Sequence, residues 1–172
     1  YTKITAKAAD GTVKTAYFAA DSTLESGYAE AIQTLNGWSD DGCTEPTLTL
    51  LRDMPSGTSM TLTGTLTLAG GTHTARNVTV AKGADVTFAS GSYKGATING
   101  TATVKDGVTF TDTNSVTVNG TLNVEGGTFT GLVKFEGSST VNISGGSFTS
   151  SKTDGGVKFG NSSVTGTVSG GT

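Results

Sequence analysis

One phrase recurs along this chain. Gly64-Thr-Leu-Thr-Leu-Ala-Gly-Gly-Thr72, Gly100-Thr-Ala-Thr-Val-Lys-Asp-Gly-Val108, Gly120-Thr-Leu-Asn-Val-Glu-Gly-Gly-Thr128 and Ser139-Thr-Val-Asn-Ile-Ser-Gly-Gly-Ser147 each run apolar, polar, apolar, then through a tight turn into a second short strand. Val104, Val124 and Ile143 follow one another at steps of 20 and 19 residues, and Phe110, Phe129 and Phe148 at 19. The interval from Gly64 to Gly100 is 36, about two such steps, and Val78-Thr-Val80 and Val86-Thr-Phe88 fill it. A fixed period near 20 residues is the mark of a repeat architecture.

Each repeat holds only period-2 runs of three to five residues, bounded by Gly, Asn, Asp and Ser. Strands this short do not make a stable sheet locally. They become stable when successive turns of chain lie on one another, pairing in parallel about 4.8 Å apart and stacking their apolar members into columns. The predicted fold is therefore all-β: a parallel β-helix of about six coils, with Leu68, Val104, Val124 and Ile143 in an aliphatic column and Phe88, Phe110, Phe129 and Phe148 in an aromatic one. The composition agrees, since a chain rich in Thr, with 26 Gly and only 34% hydrophobic residues, must place its apolar side chains economically. Asn99-Gly100 and Asn119-Gly120 read as stacked turns that need positive φ.

Residues 1–46 read as a cap and 47–172 as the β-helix. Ile4–Ala8 and Val13–Phe18, joined at Asp10-Gly11, predict a hairpin. Ser22-Thr-Leu-Glu25 has capping-box spacing, and Leu24, Tyr28, Ala31, Ile32 and Leu35 share one face of an amphipathic helix over about 22–36, which Gly37 is expected to stop. Such a helix covers the exposed end of the first coil. Gly166-Thr-Val-Ser-Gly-Gly-Thr172 repeats the start of the phrase without its second strand, so continuation of the natural chain is expected.

The charge excludes some functions. Residues 1–46 carry three Lys against seven acids and residues 47–172 eight bases against seven acids, which gives neither part the basic surface of a nucleic-acid binder. No apolar run reaches the length of a membrane span. A single cysteine, Cys43, forbids an internal disulfide and leaves the compartment undecided.

The helix Tyr28-Ala-Glu-Ala-Ile-Gln-Thr-Leu35, the strand Pro46-Thr-Leu-Thr-Leu-Leu-Arg-Asp53 and the coils with Gly-Gly-Thr-Phe or Gly-Gly-Ser-Phe resemble pectate-lyase-like β-helix segments of large surface or secreted bacterial proteins, especially Gram-positive ones. The resemblance implies a right-handed helix, an extracellular or cell-surface setting, and an adhesive, carbohydrate-binding or spacer role.

Candidate chemistry is sparse. Polysaccharide lyases need a basic residue near a calcium held by clustered carboxylates, and hydrolases need paired carboxylates. The solenoid acids Asp53, Asp85, Asp106, Asp112, Glu125, Glu136 and Asp154 are spread one or two per coil; Asp106 and Glu125, at equivalent turns of successive coils, are the one candidate acid pair. Arg52 and Arg76 match no lyase or polygalacturonase signature. His73, the sole histidine, takes the slot held by Phe in later copies, and Cys43 has no second His for a dyad. Asp40 and Asp41 beside Trp38 are the candidate ligand-binding residues: an indole near carboxylates suits sugar stacking, although Trp38 packing the helix onto the first coil and the acids being solvated are the favoured readings. Sequons at Asn77, Asn99, Asn119, Asn142 and Asn161 are expected by chance in such a composition. Outward threonines in Thr61-Leu-Thr63, Thr65-Leu-Thr67, Thr101-Ala-Thr103 and Thr128-Phe-Thr130 would suit ice binding were the coils of constant length; β propensity is the simpler account.

These readings predict no catalytic residue, metal or cofactor. The expected function is a non-catalytic β-helix module of a bacterial extracellular protein, for adhesion to host or bacterial glycans or as a rigid spacer beside other domains of the same chain. A share in a polysaccharide lyase or glycoside hydrolase is the alternative, and ice binding a minor one.

Overall fold

A computed structural model describes residues 2–19, 25–52, 60–111, 116–150, 156–160 and 163–172, and excludes the side chains of 25–27 and 73–76. In chain order the elements are β1 (Thr2–Lys7), β2 (Val13–Phe18), α1 (Glu25–Asp40), β3 (Thr44–Leu50), β4 (Met60–Leu62), β5 (Thr65–Ala69), β6 (Thr72–Val80), β7 (Asp85–Phe88) and β8 (Gly91–Ile98). They continue as β9 (Thr101–Val104), β10 (Val108–Phe110), β11 (Val116–Val118), β12 (Thr121–Val124), β13 (Thr128–Phe129), β14 (Val133–Phe135), β15 (Thr140–Ile143), β16 (Ser147–Phe148), β17 (Val157–Phe159) and β18 (Thr165–Val168).

The strands wind into a parallel β-solenoid of about five turns. A first sheet runs β18-β15-β12-β9-β7-β5-β3-β1-β2, and a second runs β16-β13-β10-β8-β11-β14-β17 with β6 between β4 and β8. Strand β8 spans two sides of the coil, because its Tyr93 pairs with Phe110 of β10 while its Ile98 pairs with Val118 of β11.

The short strands hold because their alternation is the same on every turn. In β9, β12 and β15 the first and third residues are half-exposed and the second and fourth buried. The register stacks Leu48, Leu68, Phe88, Val104, Val124, Ile143 and Val168 into one column. A second column holds Tyr93, Phe110, Phe129 and Phe148. Phe88 thus belongs by backbone register to the aliphatic column and not, as aromatic spacing alone suggests, to the aromatic one. Its ring still meets the edges of Tyr93 and Phe110, at 5.3 and 5.7 Å between centroids. Each fully buried side chain of this kind contributes about 1.5–3 kcal/mol, so the thin apolar supply suffices when it is stacked in this way.

Gly100 and Gly120 do sit at stacked corners, but neither has the positive φ expected of them. They are glycines because the backbones approach too closely: a Cβ on Gly120 would lie 2.1 Å from the Gly100 carbonyl oxygen. The amides of the preceding residues stack as well, Asn119 Nδ2 donating to Asn99 Oδ1 at 2.9 Å.

The predicted hairpin is present, and it joins the solenoid rather than lying apart from it. Strand β1 pairs antiparallel with both β2 and β3, so the hairpin extends the first sheet past the first coil. Tyr28, Ala31, Ile32 and Leu35 of α1 are buried in the same core. The helix continues through Gly37 to Asp40 and ends four residues later than expected. Its stop is Gly42, at φ +85°, where the Cys43 N–H donates to the Trp38 carbonyl (2.9 Å) and the Gly42 N–H to that of Ser39 (3.0 Å). This is the nested pair of bonds of a Schellman cap. The proposed capping box lies outside the described residues. At the opposite end Phe159 and Val168 are 51% and 63% exposed.

Candidate functional site

The outward residues of the first sheet form two long rows in register. One row takes a residue from every strand: Thr15, Thr5, Thr47, Thr67, Thr87, Thr103, Asn123, Asn142 and Thr167. A second row, two residues earlier, runs Thr65, Asp85, Thr101, Thr121, Thr140 and Thr165. Side chains two apart on a strand share a face, so the two rows lie side by side.

Coil length does vary, as the sequence indicates. Asp85 pairs with Thr101, sixteen residues on, whereas Thr140 pairs with Thr165, twenty-five on. That variation leaves the register from β3 to β18 unbroken. It is absorbed on the other sides of the coil: β8 turns from one side to the next within a single strand, while later coils insert a segment between β10 and β11, β13 and β14, and β16 and β17.

Toward the C-terminal end the first row becomes a chain of hydrogen bonds. Asn123 Nδ2 donates to Thr103 Oγ1 (3.4 Å), Asn142 Nδ2 to Asn123 Oδ1 (2.9 Å) and Thr167 Oγ1 to Asn142 Oδ1 (3.3 Å). Beside it lies a shallow depression of about 230 Å³ lined by Asn123, Glu125, Asn142, Ile143, Ser144, Thr167 and Ser169. The Lys105 ammonium is ion-paired with the Glu125 carboxylate at its rim. Asn123 and Asn142 are not singled out as a pair in the sequence; the available signal is their identical place in the repeated phrase.

The residues nominated from sequence are dispersed. Val124 aligns with Val104, so Glu125 stands beside Lys105 and Gly126 beside Asp106. The supposed equivalence of Asp106 and Glu125 is off by one residue, and a Cβ on Gly126 would lie 1.9 Å from Asp106 Oδ1. Trp38 lies on α1, partly buried against the core, with Lys14 Nζ 5.8 Å from its ring centroid. Asp40 and Asp41 are exposed at the end of that helix. Asp40 also borders a groove of about 510 Å³ between α1 and β4, which Ile32, Asn36, Thr61 and Thr63 line. The backbone of His73 pairs with that of Tyr93, the first aromatic of the column, in agreement with the slot assigned to it. Cys43 is buried and unbridged. Asp53, Asp112, Asp154 and Asn161 lie outside the described residues, as does the side chain of Arg76. Among the described residues no three His, Cys, Asp or Glu side chains are grouped to hold a metal ion, and no helix is long and apolar enough to cross a membrane.

Fold and face together define a parallel β-solenoid with a long hydroxyl-and-amide row on its first sheet. No family model, curated protein or solved structure matches the chain.

Proposed function

We propose that this chain is a non-catalytic contact module of a bacterial extracellular protein, a stiff solenoid whose first sheet adheres to glycans through its outward rows. The observation that carries the reading is that the nine-strand row is Thr or Asn at every position while staying in register through coils of unequal length. Register alone also serves the inward columns; the uniform hydroxyl and amide composition is what a contact surface uses. The non-catalytic part draws support from the acids: Glu125 is committed to Lys105 and Glu136 to Lys134, which leaves neither poised as a proton-transfer partner of a second carboxylate. A glycan array probed with the isolated module tests the proposal. Binding that is lost in a Thr101→Lys/Thr121→Lys variant supports it, and an array without a single hit reduces the module to a spacer.

A second reading, ice binding, is favoured by one observation. Thr47, Thr67, Thr87 and Thr103 stand in register although the steps between them are 20, 20 and 16 residues, so unequal coil length is no longer an objection. Absence of thermal hysteresis in the purified protein eliminates it.

A further inference from the structure

We infer that the C-terminal half of the outward face is a subsite for a neutral, extended polysaccharide lying along the solenoid axis; the inference rests on the adhesive reading above. Three observations converge on it. The first is orientation. Each asparagine amide has two N–H donors and two acceptor lone pairs, and the chain from Thr103 through Asn123 and Asn142 to Thr167 uses one donor and one lone pair of each. The remaining donor and lone pair are held in a fixed direction, so their rotamers are set before a ligand arrives, which lowers the ordering cost of binding. The second is spacing. Successive rungs repeat about every 4.8 Å, close to the length of one pyranose residue in an extended chain, so a polysaccharide along the axis offers one ring per coil. Sugar hydroxyls both donate and accept, as do the Asn, Ser and Thr groups around the depression.

The third is charge. The acid at the rim, Glu125, is neutralised by Lys105, so a uronic-acid polymer finds no net positive charge there. A neutral chain gives up no ionic solvation on docking. Ser144 and Ser169, which follow the last residues of β15 and β18, extend the same hydroxyl lining past the end of each strand.

Affinity electrophoresis tests this on the intact chain, with gels containing mixed-linkage β-glucan, galactomannan or arabinoxylan, and polygalacturonate for comparison. Retardation by at least one neutral polymer is expected, weakened about tenfold in Asn123→Ala/Asn142→Ala, in line with the loss of one or two net hydrogen bonds. Asn123→Thr/Asn142→Thr, which installs the residue other rungs already carry, keeps the fold and is expected to lose retardation too. Thr97→Ala/Thr117→Ala, on the outer row of the second sheet, is expected to bind as the parent does. Retardation by polygalacturonate alone overturns the neutral subsite while sparing the adhesive reading. Neutral binding that survives both asparagine variants overturns the location. No retardation by any polymer overturns the subsite, and the glycan array then decides separately whether the adhesive reading stands.

Discussion

The rings of Phe129 and Phe148 lie 4.8 Å apart between centroids and 5° from parallel. Phe110 stacks on the other side of Phe129 at 5.2 Å and 16°. Phe129 is therefore held between two aromatic neighbours and is fully buried. Phe129→Ala removes both stacking contacts and leaves a cavity that rigid rungs above and below cannot close. The expected cost is about 3–5 kcal/mol, read as a fall in the denaturant midpoint by circular dichroism. Phe129→Leu, which fills more of the space, should lose clearly less.

Gly120→Ala places a methyl group 2.1 Å from the Gly100 carbonyl oxygen, which is backbone and cannot swing aside. The rungs must separate locally, and the loss falls at or above the upper end of the about 1–3 kcal/mol typical of overpacking. Gly107→Ala is the matched control. It has φ +85° but open space around its Cβ, so only the strain of the left-handed conformation, about 1–2 kcal/mol, applies. Equal losses at both sites would contradict close approach as the reason for Gly120.

Gly37 and Gly42 should respond in opposite directions. Gly37 is inside α1 with nothing within 4 Å of its would-be Cβ. Gly37→Ala is expected to stabilise the protein by up to about 1 kcal/mol, because alanine loses less backbone freedom in a helix. Gly42→Ala forces a side chain into the φ +85° cap and is expected to destabilise by about 1–2 kcal/mol. Thermal melts of the two variants, displaced to opposite sides of the parent, are the check.

Asp10 sits in the turn of the hairpin and accepts hydrogen bonds from the Thr12 hydroxyl (2.6 Å) and the Thr12 backbone N–H (2.9 Å). The Thr12 hydroxyl bond, followed by the backbone bond, lowers the carboxyl from its ordinary 3.8. A folded-state pKa below the unfolded one means that the contribution of Asp10 is complete above the unfolded value and is lost as pH falls through the folded one. Asp10→Asn is therefore expected to reduce the stability difference between neutral and strongly acid solution. An NMR titration of Asp10 with a midpoint at or above 3.8 would refute the assignment.

Much of the fold is legible in the repeated phrase because the phrase specifies register as well as strand. Val104, Val124 and Ile143 stack as their spacing predicts, and the hairpin and the buried face of α1 are also plain from pattern alone. Phe88 is misplaced by sequence because spacing among aromatics ignores which strand of the coil carries them; the short sixteen-residue step from Asp85 to Thr101 shifts its phase. Gly37 misleads because an isolated glycine weakens a helix without ending it; the next glycine, Gly42, is the one that takes the left-handed cap. The one-residue error at Asp106 has a similar origin: aligning acids by type puts it opposite Glu125, while the pairing of Val104 with Val124 puts Lys105 there.

The candidate face is less legible. Threonine rows can be read from the alternation, but whether they align across coils depends on where the extra residues go. Only the pairing of successive strands shows that the additions lie on the other sides. The asparagine ladder needs the same information, since Asn123 and Asn142 become partners only when their strands are adjacent.

The hairpin that extends the first sheet also gives the rod a mechanical direction. In a solenoid each coil is held mainly by its immediate neighbours, and tension along the axis acts on the hydrogen bonds of one rung at a time. A coil between β5 and β18 can give way singly. Beside the first coil β1 is clamped between β2 and β3 and the helix is anchored in the same core, so that part must give way as a block. Under load the coils should therefore open one at a time, with contour lengths released that differ as the coils do, while the clamped block of β1, β2, β3 and α1 holds.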